Sequence, residues 1–201
     1  MDRLTGVFGG TFDPPHAAHF TLAETGRLEL GLEQVFWVVT AMPPHKPHLP
    51  LTAIEDRVAM VKRMLRGRAG HVLSRADIDR PGPHYALGTM HWLREHYPGR
   101  RWVYLMGEDS LSFLAGWYRA SEFVASCDGL GVMERPGIDL DWAALERAIP
   151  GLHEKVRFFQ AEVMDLSSHD LRRRVRTGQS ISEAVPLEVV EYIQQHSLYA
   201  G

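Results

Sequence analysis

Two histidines near the start of the chain have the residue type and spacing to act together on one ligand. His16 and His19 are three residues apart and follow closely on Gly9 and Gly10. Residues at this spacing lie on one face of a helix, so both rings can point at the same group. Glycines at a turn and the amides of a helix N-terminus favour phosphate. The segment therefore predicts a site where imidazoles donate hydrogen bonds to a reacting phosphate.

The same pair of histidines permits two other interpretations. In the simplest, His16 caps a helix and His19 packs against a sheet, which is the commoner role for an arbitrary pair of histidines. In the other, the pair binds a metal ion, for which this spacing is acceptable. Zinc, however, recruits three or four protein ligands, and no neighbouring cysteine or carboxylate motif supplies the rest. The glycines and the start of a helix favour phosphate, while the alternatives stay open.

The elements that must position these histidines follow an alternating pattern. Nearly continuous apolar runs predict buried parallel strands at 4–8, 34–40, 71–76, 101–106, 129–133 and 156–160. Longer amphipathic stretches predict helices at 17–29, 53–65, 85–95, 108–113, 142–148, 168–176 and 186–195. This alternation is typical of an α/β fold, here a Rossmann-like doubly wound sheet, mainly parallel, with helices on both faces. Such sheets bind ligands beside the carboxyl ends of their strands.

Length and composition limit the domain organisation and the partners. The 201 residues, 45% of them hydrophobic, predict one domain over 1–201, with a small helical part from about 165 to 201. A net charge of −3 offers no broad basic surface for nucleic acid or an anionic membrane. Apolar runs fall far short of the ~20 residues that a membrane helix needs. Cys127 is the single cysteine, which favours a reducing cytoplasm, and a homo-oligomer is left open.

Two motifs, one near each end of the chain, resemble the signatures of a known superfamily. The segment Gly9-Gly10-Thr11-Phe12-Asp13-Pro14-Pro15-His16-Ala17-Ala18-His19 resembles the HxGH-type signature of nucleotidylyltransferases, and Leu166-Ser167-Ser168-His169-Asp170-Leu171-Arg172 resembles their second signature. Further segments are similar, in order, to those of bacterial nicotinate-nucleotide adenylyltransferases: Pro43-Pro44-His45-Lys46, Gly82-Pro83-His84-Tyr85, Gly107-Glu108-Asp109 with Trp117, and Leu198-Tyr199. The resemblance runs nearly from end to end.

The resemblance implies an activity and a set of site residues. The reaction would transfer AMP from ATP to nicotinate mononucleotide, giving nicotinate adenine dinucleotide and pyrophosphate in NAD biosynthesis, with Mg²⁺ accompanying ATP. The attacking 5′-phosphate is already ionised, so alignment and charge neutralisation would carry catalysis. The resemblance assigns catalysis to His16, His19 and Arg172; ATP binding to those three and to Gly9, Gly10, Thr11, Phe12, Gly107, Asp109, Ser167 and Ser168; and substrate binding to His45, Lys46, Tyr85 and Trp117.

The roles within that set differ, and several have a structural alternative. His16 and His19 would hold the α-phosphate, while Arg172 would hold the departing phosphates or else form an exposed salt bridge. Trp117 would stack on the nicotinate ring, although an arbitrary tryptophan is more often part of a core. Asp109 would bind ribose or position Mg²⁺ through water, or instead cap a helix. Lys46 would reach phosphate from a loop, or that loop is simply solvated.

Some residues depart from the family pattern and leave other functions open. Ala18 stands where the family usually has glycine, Ala86 and His84 replace hydroxyl residues, and His169 replaces a threonine. Side-chain contacts at positions 84, 86 and 169 therefore cannot be carried over. The alternatives are an adenylyltransferase for nicotinamide mononucleotide or phosphopantetheine, and a nucleotide-binding regulator with little turnover.

Overall fold

A computed structural model gives the structure of the protein and describes residues 3–42 and 50–200. Within these ranges there are six strands: β1 (Arg3–Gly10), β2 (Gln34–Val39), β3 (His71–Ser74), β4 (Arg100–Gly107), β5 (Gly129–Met133) and β6 (Val156–Phe159). They form one sheet in the order β3-β2-β1-β4-β5-β6, and every pair of neighbours is parallel.

Helices connect the strands and complete the chain after the sheet. They are α1 (Ala17–Glu29), α2 (Ile54–Met64), α3 (Ala86–His96), α4 (Glu108–Ser112), α5 (Ala120–Ser126), α6 (Trp142–Ala148), α7 (Leu152–Lys155), α8 (Ser168–Arg176) and α9 (Leu187–Gln195). A short 3₁₀ turn at Leu114–Gly116 follows α4. In the part of the chain that the structure describes, no helix is long and apolar enough to cross a membrane.

The order of the strands places a crevice at the centre of the sheet. β1 pairs with β2 on one side and with β4 on the other, and from this point the chain progresses outward in opposite directions. The loops that leave the carboxyl ends of β1 and β4 consequently diverge to opposite faces. In open parallel sheets this switch point is the usual position of a ligand.

Each face of the sheet is covered by its own apolar cluster among the described residues. On one face, Leu22 of α1, Val61 of α2 and Val189 of α9 pack with the fully buried Trp37. On the other face, Met90 of α3 and Phe123 of α5 pack with the fully buried Trp102. Burial of both faces explains why the strands read as continuous apolar runs instead of alternating ones. The prediction of a doubly wound α/β sheet is confirmed.

The prediction of a turn at Gly9 and Gly10, ahead of the two histidines, is wrong. Gly9 and Gly10 are the last residues of β1, where they pair with Val38 and Val39, and the turn begins at Thr11. Their lack of a side chain serves close packing, because a Cβ at Gly10 would lie 2.9 Å from the Phe12 ring. The helices α5 and α7 were not predicted, and α7, with four residues, is too short to show a helical period.

Candidate active site

The loop between β1 and α1 (residues 11–16) carries the first motif and is packed tightly into the fold. Phe12 has a positive φ of 49° and its ring is 1% exposed. A positive φ is costly for a residue with a side chain, so the surrounding packing must hold it there. With the Phe12 ring in the core, only the backbone of this residue can face a nucleotide. Gly9 is similarly enclosed, since a Cβ there would lie 2.8 Å from Tyr104 Oη.

Arg57, on α2, holds this loop through hydrogen bonds to backbone carbonyls. Its guanidinium is 1% exposed and donates hydrogen bonds to the carbonyls of Thr11 (2.9 Å), Thr40 (2.7 Å), Ala41 (3.0 Å) and Thr52 (3.0 Å). Burial lowers the pKa of Arg57, and the charge of Asp13 opposes that change. The side chain thus joins the loop after β1 to the loop after β2 and to the start of α2. Sequence reasoning missed it, because its partners lie up to 46 positions away.

The two histidines lie against each other at the start of α1. His16 occupies the N-cap position, and the centroids of the two rings are 3.7 Å apart. The backbone N–H of His16 donates to Nδ1 of His19 at 3.2 Å. Since Nδ1 of His19 accepts that bond, the neutral ring carries its proton on Nε2, which can donate to a ligand. The prediction that both rings share one face of the helix start is confirmed by this geometry.

Burial keeps both imidazoles uncharged near neutral pH. Desolvation, and then the positive charge of Arg135, lower the pKa of His16 to about 4. Desolvation, His16 and Arg135 hold the pKa of His19 well below its ordinary value. Among the described residues, Nδ1 of His16 has no hydrogen-bond partner, although it is buried. The simplest interpretation is met in part, because His16 is the N-cap residue of α1 and the side chain of His19 accepts from its backbone N–H.

The second motif lies directly beside the first, although more than 150 positions separate them in sequence. Ser168, the first residue of α8, donates from Oγ to the carbonyl of Pro14 at 2.9 Å. Arg172, one turn further along, donates from Nη1 to the carbonyl of Asp13 at 2.7 Å. Ser167 caps α8 by accepting from the N–H of Asp170. The N-termini of α1 and α8 consequently meet at one place.

The carboxyl end of β4 supplies the opposite wall. Gly107 ends this strand and precedes α4, whose second residue, Asp109, is half exposed and lies 3.3 Å from Nε of Arg135. The backbone N–H of Arg135 donates to Glu108 at 2.7 Å. Arg135 follows β5, and its charge acts on both His16 and His19. Sequence reasoning missed Arg135; its position after a parallel strand was the signal that could have found it.

Two of the residues assigned to the second substrate, Trp117 and Tyr85, lie in aromatic contacts. Trp117 is half buried, with its ring 5.2 Å from Phe123 and 6.1 Å from Tyr104. The neighbouring Tyr118 is half exposed and stacks on Tyr85 at 4.2 Å between centroids. Aromatic faces are therefore grouped on the side of the sheet that α3 and α5 cover. The remaining two predicted residues, His45 and Lys46, lie outside the described residues and stay predictions.

The metal interpretation of the histidine pair finds no further ligands nearby. Across residues 3–42 and 50–200, no group of three or more His, Cys, Asp or Glu side chains is arranged to hold a metal ion. The ring of His19 instead lies 5.1 Å from Phe12 and 6.1 Å from Phe8. The arrangement provides neutral donors flanked by two arginines, which suits a multiply charged anion.

Comparison with known proteins gives consistent results at the level of the whole chain. The sequence profile of the cytidylyltransferase-like family matches residues 7–174. A "probable nicotinate-nucleotide adenylyltransferase" of Thermomicrobium roseum is 40% identical over 99% of this chain and 92% of its own length. One of Gloeobacter violaceus is also 40% identical, over 99% of this chain and 97% of its own.

The fold is likewise similar to solved structures. The nicotinic acid mononucleotide adenylyltransferase of Plasmodium falciparum, solved in complex with NaAD, superposes with a TM-score of 0.77. The match covers 98% of this chain and 97% of that one, at 16% identity. At so low an identity the superposition shows a shared fold and no more.

Proposed function

Because this chain belongs to the family of nicotinate-nucleotide adenylyltransferases, we propose that it transfers the adenylyl group of ATP to nicotinate mononucleotide. The products are nicotinate adenine dinucleotide and pyrophosphate. The observation that carries this proposal is the meeting of the N-termini of α1 and α8 around the paired rings of His16 and His19. Two helix N-termini and two neutral imidazoles form a site for a triphosphate.

The histidines act at the reacting phosphorus. A 5′-phosphate oxygen of nicotinate mononucleotide forms a bond to the α-phosphorus of ATP as the bond from that phosphorus to the pyrophosphate oxygen breaks. Nε2–H of His19 donates to the non-bridging oxygens, on which charge gathers in the transition state. The low pKa values of both histidines mean that this donation needs no imidazolium. The nucleophile is already ionised, so no general base is required.

The arginines act on the leaving group. Arg172 already donates to the carbonyl of Asp13, which fixes its guanidinium at the base of the β1–α1 loop, and its remaining N–H groups are available for phosphate. Arg135 brings a second positive charge from the β5 side, close enough to lower both histidine pKa values. Ser168 contributes through its backbone amide at the start of α8, since its hydroxyl already binds Pro14. The rest of the triphosphate site is proposed to be formed by Gly10, Thr11, Gly107 and Ser167.

The pyridine substrate binds on the aromatic side of the crevice. The face of Trp117 suits a flat pyridinium ring, and Tyr118, the next residue in the chain, stacks on Tyr85. The preference for nicotinate over nicotinamide is proposed from the family. His45 and Lys46 remain proposed contacts to phosphate.

The divalent cation that accompanies ATP is proposed to be Mg²⁺. Asp109 is the carboxylate at the carboxyl end of β4 and is half exposed, which fits an ion that keeps most of its water and takes one or two carboxylates. Bound there, the cation would neutralise charge on the phosphates. The ion pair between Asp109 and Arg135 keeps that carboxylate beside the site before any cation arrives.

The remaining proposals concern the chain as a whole. We propose a single domain, because Leu171 of α8 and Val189 of α9 belong to the same apolar cluster as the sheet. We propose a cytoplasmic location, since Cys127 is free and buried, as is usual in a reducing compartment. A homo-oligomer stays a prediction.

Pyrophosphate release tests the proposed function. Purified protein with ATP and Mg²⁺ is offered nicotinate mononucleotide, nicotinamide mononucleotide or phosphopantetheine in separate reactions. Release with nicotinate mononucleotide, together with nicotinate adenine dinucleotide identified by mass, is the expected result. Pyrophosphate release with phosphopantetheine alone would show that phosphopantetheine, and not nicotinate mononucleotide, is the second substrate. ATP binding without pyrophosphate release in any reaction would indicate a regulator.

A further inference from the structure

Asp13, in the middle of the β1–α1 loop, is a buried carboxylate held from two sides. It is 1% exposed, and its Oδ2 accepts from the backbone N–H of Thr52 at 3.2 Å. Its Oδ1 accepts from the hydroxyl of Tyr199 at 2.6 Å. Its own carbonyl accepts from Arg172. Every described polar group of this residue's side chain is thus engaged, three positions before His16.

Tyr199 comes from the other end of the chain and has no part in the adenylyl transfer proposed above. It follows α9, has a positive φ of 64°, and places its hydroxyl 3.8 Å from Sδ of Met60 as well as against Asp13. Burial raises the pKa of this hydroxyl, and the charge of Asp13 raises it further. The tyrosine therefore stays protonated and donates to the carboxylate.

The bond from Tyr199 acts on the side chain of Asp13, whereas most other contacts of the loop are made to its backbone. Ser168 and Arg172 hold backbone carbonyls of the loop, and Arg57 holds the carbonyl of Thr11. Only the contacts of Tyr199 and Thr52, among the described residues, fix the side chain of Asp13. A hydrogen bond to a buried charged group is stronger than a neutral one.

We propose that Tyr199 is a positioning residue, which holds the β1–α1 loop through Asp13 so that His16 and His19 stay in register with Arg172. This inference rests on the proposed adenylyl transfer for its effect on turnover. The effect of Tyr199 on the affinity for ATP does not depend on which second substrate the protein uses. Tyr199 touches no reacting atom in this scheme and acts through the loop.

The test is Tyr199→Phe, with Tyr192→Phe as its matched control. Tyr192 lies on α9, and its hydroxyl donates to Oδ1 of Asp56 at 2.7 Å, so the same kind of bond is removed. Asp56 lies on α2, outside the β1–α1 loop. Both variants keep the aromatic ring, and both are measured well below their unfolding temperatures. A purely structural role would make the two variants behave alike.

The expected result separates the variants by turnover. Tyr199→Phe should lower kcat by ~10-fold, since misplacing catalytic groups by ~1 Å already costs about 100-fold, and Tyr192→Phe should stay within ~2-fold of wild type. Equal values of kcat for the two variants would overturn the inference. The affinity for a non-hydrolysable ATP analogue, measured by calorimetry, should fall in Tyr199→Phe and hold in Tyr192→Phe.

The calorimetric measurement also distinguishes the two proposals. If wild-type protein shows no turnover with nicotinate mononucleotide, the proposed function fails, and the inference is then judged on ATP affinity alone. Weaker binding in Tyr199→Phe than in the control supports the inference in that case. Equal affinities for the analogue in the two variants overturn it.

Discussion

Replacing Arg57 by lysine should cost a large part of the stability of the fold, even though the charge is kept. The guanidinium is 1% exposed and donates to the carbonyls of Thr11, Thr40, Ala41 and Thr52. A lysine ammonium is a single point and reaches two of these carbonyls at most, because they lie on three separate segments. Losing two bonds from a charged donor, at ~1.5–3 kcal/mol each, lowers the free energy of unfolding by ~3–6 kcal/mol.

Urea unfolding of Arg57→Lys and wild type, followed by circular dichroism, measures this difference. Arg94→Lys serves as the control, because Arg94 donates to the carbonyl of Ser126 and to Asp128 from a side chain that is 39% exposed. The free energy of unfolding of Arg94→Lys should fall by less than ~1 kcal/mol, as for other exposed ion pairs. If Arg57→Lys were no less stable than Arg94→Lys, the assignment of Arg57 as the anchor of the loop would be refuted.

Three further predictions concern the site itself. His19→Ala should lower kcat by ~10²–10³-fold with unchanged unfolding, because it removes a donor aimed at developing charge; retention of most of the turnover would contradict that role. Trp117→Ala should raise KM for nicotinate mononucleotide and leave KM for ATP nearly unchanged, while equal increases in both would indicate a structural tryptophan. The pKa of His16 is lowered to about 4 in the folded state, so the unfolded chain binds the extra proton first, and stability should fall as pH drops from 6.5 towards 4. In urea unfolding measured across this pH range, His16→Gln should remove about 3–4 kcal/mol of that loss of stability, at ~1.4 kcal/mol per pKa unit for a shift from 6.5 to about 4. Parallel curves of stability against pH for variant and wild type would show that His16 does not cause the loss.

The strands and most of the helices could be predicted because their signal is local. All six predicted strands are present, and the bounds of α1, α6 and α8 agree to the residue. Apolar runs buried on both faces, and the period of an amphipathic helix, are written into consecutive residues. The position of the glycines was misjudged for a reason that is not local: whether Gly10 ends a strand or begins a turn depends on its pairing with Val39.

The sequence by itself determined which residue types meet at the site, since His16 and His19 lie within one helical turn and the motif around Arg172 begins another helix. Only the tertiary structure decided how they are held: the proton of His19 on Nε2, the charge of Arg135 beside the histidines, and the anchors Arg57 and Tyr199. The hydroxyl of Tyr199 and the carboxylate of Asp13 are 186 positions apart. A bond across that separation leaves no periodic trace in sequence, because it forms only when two faces of the finished core come together.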